Sequence, residues 1–146
     1  MSSTPRSAIT PGRAKPLGAY PHWKRIGDWI YVSGTSARQA DDRVLGAETL
    51  ADGSLHLDIA RQTRGVIENL GAVLHDAGAE LSDLVDITTF LVDIADFAAY
   101  NAAYSEYFGA DGPTRTTVAV RALPHPQLLI EMKGVAHRPP GGSPCP

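Results

Sequence analysis

Two side chains in the C-terminal third have the right chemistry to handle a small carboxylic acid. Arg115 sits in the run Gly112-Pro113-Thr114-Arg115-Thr116-Thr117. A planar guanidinium beside free backbone N–H groups can hold a carboxylate through two parallel hydrogen bonds. The ordinary alternative, an arginine exposed at the start of a strand, is favoured by residue physics alone. Glu131 sits in Leu128-Leu129-Ile130-Glu131-Met132. A carboxylate inside an apolar strand is costly unless paired or used. Burial there would raise its pKa and suit it to proton transfer. An edge-strand charge, or an ion pair with Lys133 or Arg121, is an equally good reading of the residues.

Tyr20, Ser33 and Asn101 are further polar side chains of interest, although such residues are most often structural. Of the five histidines, His56, His75 and His137 read as surface or loop residues, while His22 and His125 stand in rigid prolyl settings, Pro21-His22 and Pro124-His125-Pro126. No histidine pair has metal-ligand spacing, so no metal site is expected. The chain lacks a GxGxxG, a Walker loop and a GxSxG elbow, so neither nucleotide binding nor a serine nucleophile has support.

These residues must be positioned by a regular framework. Trp29–Val32 is a β-rich run ending at Ser33-Gly34; Gly27-Asp28 marks a turn and Trp23–Ile26 its partner strand. Ala37–Ser54 is polar and reads as a long loop or a poorly regular excursion. Asp58–Ala77 places Ile59, Thr63, Val66, Ile67, Leu70, Val73, Leu74 and Ala77 on one helical stripe, with Asp58 as N-cap and Gly78 as the stop. Leu84–Val92 is apolar on both faces, as a buried strand is. Asp93–Phe108 reads as a second helix with Phe97, Tyr100, Tyr104 and Phe108 on its apolar side. Thr114–Ala122 and Leu128–His137 are two more strands, joined by the proline-containing segment Leu123–Gln127.

The order β-β-α-β-α-β-β fits an α+β domain: a mixed sheet with two helices packed on one face. The other face stays partly apolar, so self-association is expected. If the last two strands form a hairpin about His125, Ala119 lies opposite Glu131 and Arg115 lies about 13 Å farther along. Arg115 and Glu131 then meet only across a subunit interface.

The chain has 146 residues, 43% hydrophobic, with a net charge of −3. That is one domain's worth, expected at residues 15–138, between a disordered lead at 1–14 and a disordered Pro/Gly-rich tail at 139–146. Interspersed charges give no general field for nucleic acid or anionic membranes. The first residues lack the apolar run of a secretory signal, and Cys145 is the sole cysteine, so a reducing, cytoplasmic setting is expected.

Several blocks are similar, in order and spacing, to the RidA (YjgF/UK114) family. They are Gly18-Ala19-Tyr20, Val32-Ser33-Gly34, Gln62-Thr63-Arg64 with Glu68-Asn69-Leu70, Asp96-Phe97-Ala98 with Asn101, Pro113–Val118 and Ile130-Glu131. Arg13-Ala14-Lys15-Pro16, Pro21-His22, Ser33–Arg38, Gly112–Val120 and Leu123–Pro126 with Leu128–Glu131 most resemble its 2-aminomuconate-deaminating branch. Thr117 departs from the common family pattern, where cysteine stands, and that rules out thiol chemistry at this position.

The resemblance implies a chorismate-mutase-like α+β fold and a homotrimer with clefts between subunits. It implies cofactor-free hydrolysis of an enamine or imine, here 2-aminomuconate to 4-oxalocrotonate and ammonia. It places Arg115 on the substrate carboxylate and Glu131 on water or protons, with Tyr20, Ser33, Asn101 and the backbone at Thr117 lining the cleft. A dicarboxylate needs a second cation, for which Arg38 is the first choice and Lys24, His22 and His125 the others. Three other readings are a general 2-imino acid deaminase of the 2-aminoacrylate type, a non-enzymatic binding protein for small 2-oxo acids, and RNA cleavage. The acidic charge and the lack of a basic aromatic groove argue against the last.

Overall fold

A computed structural model of the protein describes residues 5–141. The elements are β1 (Arg6–Ala8), β2 (Trp23–Ile26), β3 (Trp29–Thr35), β4 (Ala47–Thr49), β5 (Leu55–Leu57), α1 (Ile59–Asp76), β6 (Leu84–Leu91), α2 (Phe97–Tyr104), β7 (Thr114–Ala119) and β8 (Ile130–His137). Six strands form one mixed sheet in the order β1-β2-β3-β8-β6-β7, and β4 and β5 form a separate small hairpin.

α1 forms where the 3.6-residue stripe places it. Asp58 caps its start by accepting the Arg61 N–H, and Gly78, at φ +87°, takes the left-handed position just past its end. Val66, Ile67, Leu70 and Leu74 from its stripe are fully enclosed against Ile30, Ile87, Ile130 and Met132 from the sheet. Each such side chain contributes about 1.5–3 kcal/mol through burial.

β3 and β6 both run antiparallel to β8, and β6 runs parallel to β7. The chain therefore makes two parallel crossovers, β3–α1–β6 and β6–α2–β7, and both put their helix on the same side of the sheet. The opposite face carries Ile26, Trp29, Tyr31 and Val118, all at least 39% exposed.

Four local expectations change. Arg6–Ala8, inside the lead expected to be disordered, pair with Arg25, Lys24 and Trp23, because β2 would otherwise present an unpaired edge. The Ala37–Ser54 excursion is partly regular: Arg38 bridges to Val44, and Ala47–Thr49 pair with Leu57–Leu55 across a turn at Gly53. The second helix is shorter than Asp93–Phe108. It opens with a 3₁₀ turn at Ile94–Asp96 under the Asp93 side chain, and after Tyr104 the backbone tightens into single turns through Phe108. Most consequentially, β7 and β8 are not a hairpin, since β6 lies between them. β6 buries Leu84, Ile87, Thr89 and Leu91 under the helices and gains hydrogen-bonded neighbours on both edges, and the long Val120–Leu129 connection lets the chain pass over it. Of the expected tail, Pro139–Gly141 lie in a turn region and residues 142–146, with Cys145, fall outside the described residues.

Candidate functional site

Glu131 stands near the start of β8, on the face away from the helices, opposite Phe90 of β6. β8 is an interior strand, so the edge-strand explanation for this carboxylate falls. No ion pair to Lys133 or Arg121 forms among the described residues. Its carboxyl group is half-buried, and burial alone pushes its pKa above the usual carboxylate range.

Its position is set from two sides. On α1, the buried Gln62 donates from Nε2 to the Gln127 carbonyl (2.8 Å) and accepts the Leu129 N–H at Oε1 (2.8 Å), which fixes the entry to β8. On β3, the register slips between Val32 and Thr35. The resulting bulge holds Ser33 and Gly34. A Cβ on Gly34 would lie 2.9 Å from the Glu131 carboxyl carbon, so only a glycine lets the carboxylate lie against this strand.

Ser33 is tied into the same bulge. Its N–H donates to the His22 carbonyl (3.0 Å) and its hydroxyl to the Pro21 carbonyl (2.7 Å). Tyr20 is exposed and lines a pocket with Gly34, Thr35 and Ser36. His22 lines it too, but both ring nitrogens are engaged. The Thr10 N–H donates to Nδ1 (2.8 Å) and Nε2 faces the Ala14 carbonyl (2.9 Å), which fits a neutral ring with the proton on Nε2.

Arg38 also reaches this pocket, but its fork is occupied: one terminal nitrogen bonds Asp42 at 2.6 Å and the other the Lys15 carbonyl. His125 accepts the Gln127 N–H in its own loop, and Lys24 is on the open face beside Tyr31. Arg13, overlooked in the sequence reading as a residue of the N-terminal lead, lines the pocket and donates to Asn69 at 3.0 Å.

Arg115 belongs to a second cluster. It sits on β7 opposite Ile87 and on the helix side of the sheet. Its guanidinium carbon lies 4.6 Å from the Tyr104 ring centroid, 5.1 Å from Tyr100 and 5.8 Å from Phe97. Aromatic faces attract a cation by about 0.5–2 kcal/mol per pair without neutralising it. Among the described residues Arg115 makes no ion pair. The Tyr100 hydroxyl bonds Thr89 (2.9 Å) and Thr117 (3.0 Å), tying the shelf to β6 and β7. Asn101 lies half-buried on α2. The four aromatic positions were legible as a helix face; that three of them form a shelf under Arg115 was not.

Arg115 and Glu131 are thus held on opposite faces of the sheet. Arg115 aligns with Ile87 and thereby with Gly134, three residues from Glu131 and two strands away. That is about 14 Å by strand spacing and rise. With β6 between β7 and β8 there is no hairpin register, and the two side chains are far apart within one chain. One chain offers an uncompensated cation in one place and a protonatable carboxyl group in another. No group of three or more potential metal-ligating side chains forms among the described residues. No helix there is long and apolar enough to cross a membrane.

Comparison with known proteins agrees with this architecture. A RutC family protein of Pyrococcus abyssi is 40% identical over 126 residues, covering 85% of this chain and 90% of that protein. A RutC family protein of Saccharolobus solfataricus is 37% identical over 125 residues, covering 85% and 90%. Among solved structures, the Rid family protein YyfA of Yersinia pestis superposes with a TM-score of 0.78 at 29% identity, covering 92% of this chain and 99% of that one. Escherichia coli TdcF, solved with bound serine, superposes with a TM-score of 0.75 at 26% identity, covering 91% and 98%. The family model described as Endoribonuclease L-PSP matches residues 10–138, nearly all of the described chain, and with these relatives it establishes that the chain belongs to that family, the RidA/YjgF family.

Proposed function

We propose that the protein is a cofactor-free hydrolytic deaminase of 2-imino and enamine acids, acting on 2-aminomuconate to give 4-oxalocrotonate and ammonia. The observation that carries this reading is the character of the two polar centres. Arg115 is a cation on an aromatic shelf with no ion pair among the described residues, and Glu131 is a carboxyl group whose pKa burial has raised. Their placement on opposite faces favours a site completed by a second copy, and the exposed Tyr31 and Trp29 face favours a homotrimer.

In this mechanism the enamine first tautomerises to the imine, its nitrogen losing a proton as carbon gains one, and Arg115 of one copy pairs with the C1 carboxylate of that imine. Glu131 of another copy takes a proton from water as the oxygen attacks the imine carbon. The tetrahedral intermediate then breaks its C–N bond, and the nitrogen leaves as ammonia with the protons gathered from Glu131 and water. Positioning and proton transfer supply most of the rate, because an imine is already electrophilic. Tyr20, Ser33, Asn101 and the Thr117 backbone line the cleft. The bound serine of TdcF, a small amino acid in a relative of the same fold, supports a carboxylate-bearing ligand. The net charge of −3 disfavours a ribonuclease reading of the family description. The single cysteine accords with a cytoplasmic setting.

The test is ammonia release from freshly generated 2-aminomuconate and from 2-aminoacrylate, with wild type and Glu131→Ala, alongside the sedimentation mass. Turnover of the dicarboxylate by a trimer, lost in Glu131→Ala, is expected. Turnover of 2-aminoacrylate alone makes the protein a general imine deaminase. Turnover of neither, with binding of 2-oxo acids retained, replaces the enzyme with a binding protein.

A further inference from the structure

We infer that Arg13 is the cation that receives the far carboxylate of a dicarboxylate ligand; the identity of that ligand rests on the deaminase reading above. The pocket between the N-terminal loop, the end of β3 and α1 is lined by Arg13, Tyr20, Gly34, Ser36, Arg38 and Asn69, among others. Among the described residues no aspartate or glutamate lines it. Gly34 is common to this pocket and to Glu131, since it borders the one and its Cα backs the carboxylate of the other. A ligand with its reacting carbon at Glu131 thus has this pocket as a neighbour.

Three basic groups reach the pocket, and two are already committed. Arg38 is neutralised by Asp42 and spends its other terminal nitrogen on the Lys15 carbonyl. His22 has both nitrogens in backbone hydrogen bonds and is neutral in that arrangement. Arg13 differs. Its only hydrogen-bond partner among the described residues is Asn69 Oδ1, reached from Nη1.

The anchor is itself fixed. Asn69 is 6% exposed and donates from Nδ2 to the carbonyls of Ser36 (2.9 Å) and Arg38 (3.1 Å), so its oxygen must face Arg13. An amide oxygen orients the guanidinium without cancelling its charge. The remaining Nη2 and Nε are left for a carboxylate, which an arginine fork suits. The first-choice cation of the sequence reading, Arg38, braces the loop instead and does not present a free fork.

The experiment compares wild type, Arg13→Gln and Arg13→Lys, each checked for folding by thermal melting. Turnover of 2-aminomuconate and 2-aminoacrylate is measured. So is calorimetric binding of two inert analogues, the dicarboxylate 2-oxoglutarate and the monocarboxylate 2-oxobutyrate. Loss of one charge-assisted hydrogen-bonded pair corresponds to about tenfold or more in affinity. Arg13→Gln is expected to raise the KM and Kd for the dicarboxylates by about that factor more than for the monocarboxylates, with Arg13→Lys in between. Equal effects on both classes, or none, overturn the assignment. If wild type turns over neither imine, the deaminase reading fails and the binding arm alone decides. A dicarboxylate preference lost in Arg13→Gln then upholds Arg13 as an anion subsite, and no preference in wild type overturns it. A variant that melts far below wild type is replaced by Asn69→Leu, which leaves Arg13 in place but unanchored and is expected to lower the same preference; an unaltered preference in it overturns the assignment.

Discussion

The backbone of Gly34 lies so close to Glu131 that a methyl group there would stand 2.9 Å from the carboxyl carbon and 3.0 and 3.2 Å from its oxygens. The first of these is closer than real side chains approach and the other two are tight, but the obstructed group is the end of a flexible chain. Gly34→Ala should therefore fold with a small loss of stability while swinging the carboxylate off its position. The expected result is a fall in kcat of more than about tenfold, since displacements of about 1 Å in a catalytic group carry costs of up to 100-fold. Steady-state kinetics beside a melting curve checks this; unchanged kcat in a folded variant counts against the proposed role of Glu131.

Glu131 also makes a prediction about pH. Its folded-state pKa is raised, because burial disfavours the charged form. The sign follows: the folded protein holds this proton more tightly than the unfolded chain. The favourable contribution is whole below the ordinary carboxylate range and disappears as pH rises through the raised value. Glu131→Gln removes that loss. Its melting temperature relative to wild type should rise as pH increases upward from the ordinary carboxylate range. A difference that shrinks as pH increases excludes a raised pKa. If Glu131 takes the proton from water, the acid limb of kcat/KM also lies above the ordinary carboxylate range.

Tyr100 contributes a ring beneath Arg115 and a hydroxyl shared between Thr89 and Thr117. Tyr100→Phe keeps the ring and removes the hydrogen bonds. A stability loss of about 1–2 kcal/mol is expected, with a KM change of no more than a few-fold. Tyr104→Leu removes the nearest of the three rings, at 4.6 Å. It should raise KM several-fold more than Tyr100→Phe while kcat is largely kept. The reverse ranking places the hydroxyl bridge, and not the aromatic shelf, in control of Arg115.

Local pattern made much of this protein legible. The helical stripe from Ile59 to Ala77 with Asp58 before it and Gly78 after it determines α1 and its buried face, and the β-branched, largely apolar run at Leu84–Val92 determines a strand. Those signals depend on side-chain period and on capping, which are properties of neighbouring residues. For Arg115 and Glu131 the residue types alone left structural readings open, favoured for Arg115 and equal for Glu131, and it was the family resemblance that singled the two out.

What only the tertiary structure decided is non-local. Nothing in Thr114–His137 by itself places β6 between β7 and β8, and that insertion puts Arg115 on the helix side and Glu131 on the open side of one sheet. Nor does a glycine in Ser33-Gly34 announce which side chain will lie against it. Arg38 looked like an available cation until Asp42 and the Lys15 carbonyl were seen to occupy it, while Arg13 came into reach only because Asn69, 56 residues away in sequence, holds it there. Strand order, register and the partners of long side chains are settled by which distant surfaces bury each other best, and that competition is resolved by the whole fold.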